Sequence, residues 1–202
     1  MKKFNNGDIR VCIFPSIVYV LECSDLVDDV KEILDDDVEW SESPIHGQTK
    51  DLYILKNKSP ELVKAFEDRI NLVLEECNFQ NTFQMTTSWL TRTVPYGAIH
   101  KHRHTNSLWS TVFYFYEGCG AITFHKKRPA INVPTTDEFT NPDLGMHGDV
   151  FFLAEKGKML LFPSGLEHSV SFNDSDKYRY SIAMNWMPQG MCKVGDSSFN
   201  YK

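Results

Sequence analysis

The chain has 202 residues, of which 42% are hydrophobic and 13% aromatic, and this suits a single domain with a large aromatic core. A formal net charge of -6 argues against binding to bulk nucleic acid, because the chain has no basic stripe that would displace counterions from phosphates. No stretch approaches the roughly 18 apolar residues of a membrane helix. We therefore expect no membrane partner. The five cysteines lack CxxC spacing, so we expect reduced thiols in a cytoplasmic protein.

The N-terminal third of the chain predicts one strand and two helices. A β-branched and aromatic run predicts the strand over 9–20, and Ser24 is suited to cap a short helix that follows it. The polar stretch 41–50 is predicted to be a loop, and His46 within it is predicted to be an ordinary surface histidine.

The second helix has the clearest pattern in the chain. Ser59 is a suitable N-cap, Pro60 suits the first helical position, and an apolar stripe follows at helical spacing. The stripe consists of Val63, Phe66, Ile70, Val73 and Cys77. A single stripe of this kind predicts that the helix packs one face against a sheet.

From residue 83 onward the pattern is one of short strands separated by Gly, Pro, Asn and Asp. The predicted strands cover 83–94, 108–116, 121–125, 150–153, 159–162, 168–172 and 179–186. Many short strands favour a sandwich, jelly roll or barrel. The polar segment 126–148 is too long for a hairpin turn, and we expect it to be a lid that contributes to substrate choice.

These patterns predict one mainly β domain with N-terminal helices, an α+β arrangement, over 1–202. Residues 1–82 would form an α/β support region, 83–190 the β core and 191–202 a tail.

The run His100-Lys101-His102-Arg103-His104 holds the most informative side chains. Alternate residues of an extended chain share a face, so the three imidazoles can point the same way. Neutral imidazoles at this spacing can bind one metal ion, and imidazole suits iron, zinc, copper or nickel. A solvent-exposed basic patch is the alternative interpretation of the same residues.

Two features near the C-terminus favour a metal site. An apolar strand enters a Pro-Ser-Gly turn at 163–165, and His168 then opens the next strand. Arg179 follows eleven residues later in a strand with apolar neighbours, where a buried guanidinium needs an anion. That anion can be a protein carboxylate or a bound dicarboxylate gripped by the guanidinium fork.

The histidine run, the distal histidine and the Arg-x-Ser at 179–181 together resemble the 2-oxoglutarate/Fe(II)-dependent oxygenase superfamily. The phrases that carry the likeness are Ile13-Phe14-Pro15, Ser88-Trp89, residues 102–110, Val112-Phe113-Tyr114, Phe162-Pro163-Ser164 and the stretch from Arg179 to Asn185. They are most similar to a small bacterial and phage branch related to the prolyl 4-hydroxylases. The resemblance implies a double-stranded β-helix, a jelly roll or cupin-like core, over roughly 83–186.

The ligand set that the resemblance implies for Fe(II) is His102, His104 and His168. The superfamily's usual second ligand is a carboxylate, so His104 is a departure that leaves the site about one charge unit more positive. Pairing His100 with His102 is the alternative register, and residues 105–107 favour His102 with His104.

The resemblance also implies a binding site for 2-oxoglutarate. Arg179 falls on the residue that binds the distal carboxylate, Ser181 assists it, and Tyr114 falls where related hydroxylases place a tyrosine hydroxyl. Asn185 and Trp89 are expected to line the site at most or to serve in packing. The implied reaction couples oxidative decarboxylation of 2-oxoglutarate to hydroxylation of a C–H bond.

Two other functions stay open on the sequence alone. A three-histidine cupin-like metal dioxygenase or hydrolase would keep the fold and the metal but use no 2-oxoglutarate. A non-catalytic binding or structural jelly roll would keep the fold alone. The substrate implied by the resemblance is a small molecule or a protein side chain. His125 and His147 have no place in the pattern and are expected in loops or on the surface.

Overall fold

The computed structural model describes residues 2–3, 9–10, 16–35, 37–118, 120–125 and 149–201. Several expectations fall outside these residues. They concern the phrase at 13–15, the predicted lid over 126–148 and His147.

The helices lie in the N-terminal third. Helix α1 spans Val27–Asp35 and follows a 3-10 turn at Ser24–Leu26, α2 spans Ile54–Lys58, and α3 spans Pro60–Leu74 and runs into a 3-10 turn at Glu75–Cys77. The predicted start of α3 is confirmed, because the Ser59 hydroxyl accepts the Leu62 N–H at 3.4 Å. The predicted cap at Ser24 is wrong. Ser24 lies inside the 3-10 turn, and its hydroxyl donates to the Glu22 carboxylate at 2.5 Å.

The described residues also form a series of strands. In chain order they are β1 (Lys2–Lys3), β2 (Ile9–Arg10), β3 (Tyr19–Glu22), β4 (Trp40–Glu42), β5 (His46–Thr49), β6 (Phe83–Thr93), β7 (Ile99–His102), β8 (Trp109–Phe113), β9 (Ala121–Phe124), β10 (Val150–Leu153), β11 (Lys158–Pro163), β12 (His168–Val170), β13 (Arg179–Pro188), β14 (Gly190–Val194) and β15 (Ser197–Tyr201). Each strand predicted from residue 83 onward is present, with ends that differ by a few residues.

Two antiparallel sheets make up the core. The larger sheet has the order β3-β11-β8-β13-β6-β5-β4, and the smaller has the order β10-β9-β12-β7. Between β6 and β13 the chain passes repeatedly from one sheet to the other, and β9 and β10 pair within the smaller sheet. This interleaving is the double-stranded β-helix, or jelly roll, that the sequence predicted.

Helix α3 covers the outer face of the larger sheet. Phe66 and Ile70 are fully buried against this face, and the Phe66 ring lies 5.6 Å from the Phe113 ring. Strand β13 sends alternate residues Ile182, Met184 and Trp186 into the same core. The residues between them, at 181, 183 and 185, therefore face the interior of the jelly roll, where the two sheets enclose a cavity.

Two polar elements of the sheets were not predicted from the sequence. The predicted loop at 41–50 is a hairpin of β4 and β5 that extends the larger sheet beyond β6. The hairpin was missed because its side chains are mostly polar and show no hydrophobic pattern. A strand at a sheet edge can be held by backbone hydrogen bonds alone. Strand β7 was missed for the same reason. Beyond β13, strands β14 and β15 pair in a second hairpin. Among the described residues of the first predicted strand, 9–10 lie in β2, 19–20 lie in β3 and 16–18 are irregular.

No helix among the described residues is long and apolar enough to cross a membrane. The assignment of the whole chain to one domain, with a support region, a β core and a tail, stays a prediction.

Candidate metal centre

The structure brings His102, His104 and His168 together on the wall of the cavity between the two sheets. His102 ends β7 and His168 begins β12, and these two residues are direct partners across the antiparallel pair. His104 lies two residues beyond β7, where its backbone N–H donates to the Ser164 carbonyl at 3.0 Å. One ring nitrogen from each residue lies within 4.8 Å of the other two, so the group can hold a metal ion.

Hydrogen bonds at Nδ1 set the tautomer of each imidazole. Nδ1 of His102 lies 2.8 Å from the His100 carbonyl, and Nδ1 of His168 lies 2.9 Å from the Leu166 carbonyl. Nδ1 of His104 lies 2.8 Å from Oδ1 of Asn185. Carbonyl oxygens only accept, so every Nδ1 carries the proton and donates it. Each Nε2 is then left with a lone pair for a metal, which is the arrangement found behind metal-binding histidines.

Burial keeps two of these imidazoles neutral. Desolvation lowers the pKa of His168 to about 3, and the residue is only 3% exposed. Desolvation also lowers the pKa of His104, against a smaller opposing effect of its hydrogen bond to Asn185. Neutral imidazole is the form that binds metal, so burial prepares both side chains as ligands near neutral pH.

The three histidines open into a cavity of about 630 Å³ between the sheets. Arg179, Ser181 and Tyr114 line the same cavity, so all six candidate residues lie around one space. Among the described residues, the charged side chains on the wall are Lys101, Arg103 and Arg179, and no carboxylate lines it. A wall with this charge favours an anionic ligand.

Arg179 is held on the cavity wall by hydrogen bonds to neighbouring residues. Its guanidinium donates to Thr93 Oγ1 at 3.1 Å and to the Ser171 carbonyl at 3.3 Å. Gly120 makes room for it, because a Cβ at that position would lie 2.5 Å from Nη1 of Arg179. Gly120 also has φ +95, a backbone conformation that favours glycine.

Tyr114 carries a buried hydroxyl that no described residue satisfies. The side chain is 3% exposed, and its hydroxyl has no hydrogen-bond partner among the described residues. Burial raises the pKa of Tyr114, and the positive charge of Arg179 opposes this rise. An unsatisfied buried hydroxyl costs about 1–3 kcal/mol. A ligand oxygen beside Arg179 would remove that cost.

The structure gives Asn185 and His46 larger roles than the sequence predicted. Asn185 contacts His104 directly through its Oδ1, and the Trp89 ring lies 5.6 Å from the His104 ring. His46 is wrongly predicted as a surface residue, because β5 places it on the cavity wall. The alternation of Arg179, Ser181 and Asn185 along β13 was a signal that all three face the cavity.

His125 lies in a loop just beyond β9, as predicted, although its side chain is only 11% exposed. Its Nδ1 donates to the Asp149 carboxylate at 2.7 Å, and its Nε2 accepts the Ser169 hydroxyl at 2.8 Å. This chain of contacts lies beside the metal centre, since Ser169 follows His168 on β12. It ties residue 125, at the end of β9, to residue 149, at the start of β10.

Comparison with known protein families identifies one match. The model of a family described as "Putative 2OG-Fe(II) oxygenase" matches residues 87–185, which contain all six candidate residues. No curated protein sequence matches the chain.

Solved structures resemble the chain over most of its length. One is HygX from Streptomyces hygroscopicus with nickel and 2-oxoglutarate bound, at 14% identity and a TM-score of 0.59, covering 85% of this chain and 82% of that one. A prolyl-4-hydroxylase from Pseudomonas putida has 14% identity and a TM-score of 0.54, covering 86% and 93%. A 2OG-Fe(II) oxygenase family oxidoreductase from Burkholderia pseudomallei has 9% identity and a TM-score of 0.57, covering 84% and 83%. At these identities the likeness shows a shared fold.

Proposed function

From the match of residues 87–185 to the 2OG-Fe(II) oxygenase family, we propose that the chain is an Fe(II)- and 2-oxoglutarate-dependent dioxygenase that hydroxylates a C–H bond of its substrate. The overall reaction converts the substrate, 2-oxoglutarate and O2 into the hydroxylated substrate, succinate and CO2. The observation that carries the proposal is that the three clustered histidines line the same cavity as Arg179 and Tyr114. Each histidine has an Nε2 lone pair that could bind a metal.

The residues fit the two cofactors. His102, His104 and His168 would hold Fe(II) through Nε2, and an ion that accepts six ligands keeps positions for other ligands. Arg179 and Tyr114 would bind the distal carboxylate of 2-oxoglutarate. The guanidinium supplies the charge there, and the orphaned hydroxyl of Tyr114 gains an acceptor.

When bound, Fe(II) and 2-oxoglutarate together supply the oxidant that attacks an unactivated C–H bond. The chain would position both cofactors in a cavity with several apolar side chains on its wall. The apolar side chains Val112, Ile122 and Phe162 line the cavity, and the latter two are almost fully buried. Ser181 lies two residues from Arg179 on the same face of β13, where it would assist at the distal carboxylate.

We propose that the substrate is a small molecule or a protein side chain. The cavity volume is within the range of small-molecule sites. Two similar structures support these two classes. One is HygX, whose structure also exists with hygromycin B bound, and the other is a prolyl-4-hydroxylase.

We also propose a reducing compartment such as the cytoplasm. Among the described residues, Cys23, Cys77 and Cys192 are free thiols, which supports this proposal.

The test is to add Fe(II) to the apoprotein without oxygen, then 2-oxoglutarate, and to record the visible charge-transfer band of the chelated cosubstrate. We expect a band that is lost in His168→Ala and weakened in Arg179→Ala. His100→Ala is the matched control and keeps the band, because His100 lies outside the three-histidine group. Iron binding without a band would favour a three-histidine dioxygenase, and no iron binding would favour a non-catalytic jelly roll.

A further inference from the structure

His104 differs from the other two histidines in what holds its Nδ1. His102 and His168 donate to backbone carbonyls, which any residue at those positions would supply. His104 donates instead to a side chain, Oδ1 of Asn185, at 2.8 Å. Among the described residues, His104 is thus the member of the group whose tautomer depends on the identity of another residue.

The register of the larger sheet fixes Asn185 in the orientation that His104 needs. Asn185 on β13 lies between its direct partners Ser110 on β8 and Thr87 on β6. Its Oδ1 accepts the Ser110 hydroxyl at 2.8 Å, and its Nδ2 donates to Thr87 Oγ1 at 3.1 Å. The two contacts hold opposite ends of the amide, so the oxygen faces the imidazole.

A reversed amide would have the opposite effect on the metal site. If Nδ2 faced His104, the ring would accept at Nδ1 and carry its proton on Nε2. An Nε2 that carries a proton has no lone pair for a metal. The side chain at position 185 therefore decides whether His104 can bind metal through Nε2.

We infer that Asn185 is a positioning residue that keeps the His104 proton on Nδ1 and so makes His104 a competent second ligand. This inference rests on the proposed metal site, and it concerns the position at which the chain departs from a carboxylate ligand. Asn185 offers a neutral acceptor, so it orients the imidazole without restoring the missing negative charge.

Two substitutions at position 185 separate positioning from packing. Asn185→Leu keeps a similar volume but offers no acceptor to His104. Asn185→Asp keeps acceptor oxygens and adds a negative charge behind the imidazole. Thr86→Val is the matched control, because it removes a hydrogen bond to the Asn185 backbone carbonyl and leaves both contacts of the Asn185 amide in place. Thermal unfolding of each variant checks that it is folded.

The first measurement is the ¹⁵N spectrum of the histidine rings in the apoprotein, with His104 assigned by comparison with His104→Gln. We expect the Nδ1–H signature of His104 in the parent, in Asn185→Asp and in Thr86→Val, and its loss in Asn185→Leu. An Asn185→Leu protein that keeps the parent signature would overturn the inference. This measurement uses no metal, so it remains decisive even if the parent binds no iron and the proposed function fails.

The second measurement is Fe(II) affinity under anaerobic conditions. Asn185→Leu should weaken binding by roughly 10–100-fold, as expected for the loss of a residue behind a metal ligand. Asn185→Asp should bind at least as tightly as the parent, because its charge favours the cation. An equal loss in Asn185→Asp or in Thr86→Val would mean that packing, and not the acceptor at Oδ1, carries the effect, and would overturn the inference.

Discussion

His102 and His168 face each other as direct partners on β7 and β12, and their ring centroids lie 4.2 Å apart. These strands belong to the smaller sheet, and β12 is also paired with β9. A metal bound by both side chains would therefore link two adjacent strands that the backbone already holds in register. Metal binding would therefore need little rearrangement of the chain, and a bound metal would stabilise the folded state.

Fe(II) should stabilise the parent protein and have no such effect on His102→Ala. A ligand that binds only the folded state at 100 times its Kd raises the free energy of unfolding by about 2.7 kcal/mol. Anaerobic thermal melts with and without Fe(II) measure the shift. His100→Ala should show the full shift, because its side chain is not part of the group and its carbonyl is unchanged. A shift that survives in His102→Ala would contradict the proposed ligand set.

Sequence reasoning found the core strands and the three histidines because both depend on local pattern. A continuous apolar run marks β11, and large apolar residues at alternate positions mark β13. The spacing of His102 and His104 is visible in five consecutive residues. The likeness to a known family then connected them with His168. In each case the signal lies within a short stretch of chain.

The missed features depend on partners far apart in the chain. Asn185 gains its role only when the sheet register places it between Ser110 and Thr87. His46 reaches the cavity because β5 pairs with β6, where it lies opposite Thr93. A polar edge strand has no hydrophobic pattern to reveal it, and cross-strand register is a property of the folded sheet.

The apoprotein should lose stability as the pH falls below about 6.5, the ordinary value for histidine. Burial lowers the pKa of His168 in the folded state to about 3, so between these values the unfolded state binds more protons at this residue. The free energy of unfolding then falls by about 1.4 kcal/mol per pH unit for each such histidine. Urea titrations of the chelator-treated protein between pH 6.5 and 5 measure this slope. Carboxylates ordinarily titrate below this pH range, so they contribute little to the slope.

His168→Gln should have a smaller slope than the parent over the same pH window. His100→Gln is the control and should keep the parent slope, because the His100 side chain is exposed. Equal slopes in the parent and in His168→Gln would show that His168 is not held neutral by burial.

Gly120→Ala should weaken 2-oxoglutarate binding and leave Fe(II) affinity unchanged. The new Cβ would lie 2.5 Å from Nη1 of Arg179 and from Oγ of Ser171, so the guanidinium must move. The positive φ adds a cost in stability of about 1–3 kcal/mol. We expect the Kd of 2-oxoglutarate to rise about tenfold, equivalent to about 1.4 kcal/mol, in titrations of the charge-transfer band.

Gly165→Ala is the matched control for this substitution, since nothing lies within 4 Å of a Cβ at that position. It should bind both Fe(II) and 2-oxoglutarate like the parent. An unchanged Kd for 2-oxoglutarate in a folded Gly120→Ala protein would argue against a role for Arg179 in cosubstrate binding.

Tyr114→Phe should affect stability and cosubstrate binding in opposite directions. The substitution removes a buried hydroxyl that has no hydrogen-bond partner among the described residues, so the apoprotein should be as stable as the parent or about 1–3 kcal/mol more stable. If that hydroxyl donates to the distal carboxylate, its loss removes a hydrogen bond to a charged group, which is worth about 1.5–3 kcal/mol. The Kd of 2-oxoglutarate should then rise by roughly 10–100-fold. Urea unfolding and titration of the charge-transfer band measure the two effects separately.

Tyr116→Phe is the matched control. Tyr116 lies outside the cavity and packs against the same core as Phe66 and Phe113, so the substitution should change cosubstrate binding little. A Tyr114→Phe protein that loses stability and binds 2-oxoglutarate normally would show that the hydroxyl serves the fold and not the cosubstrate.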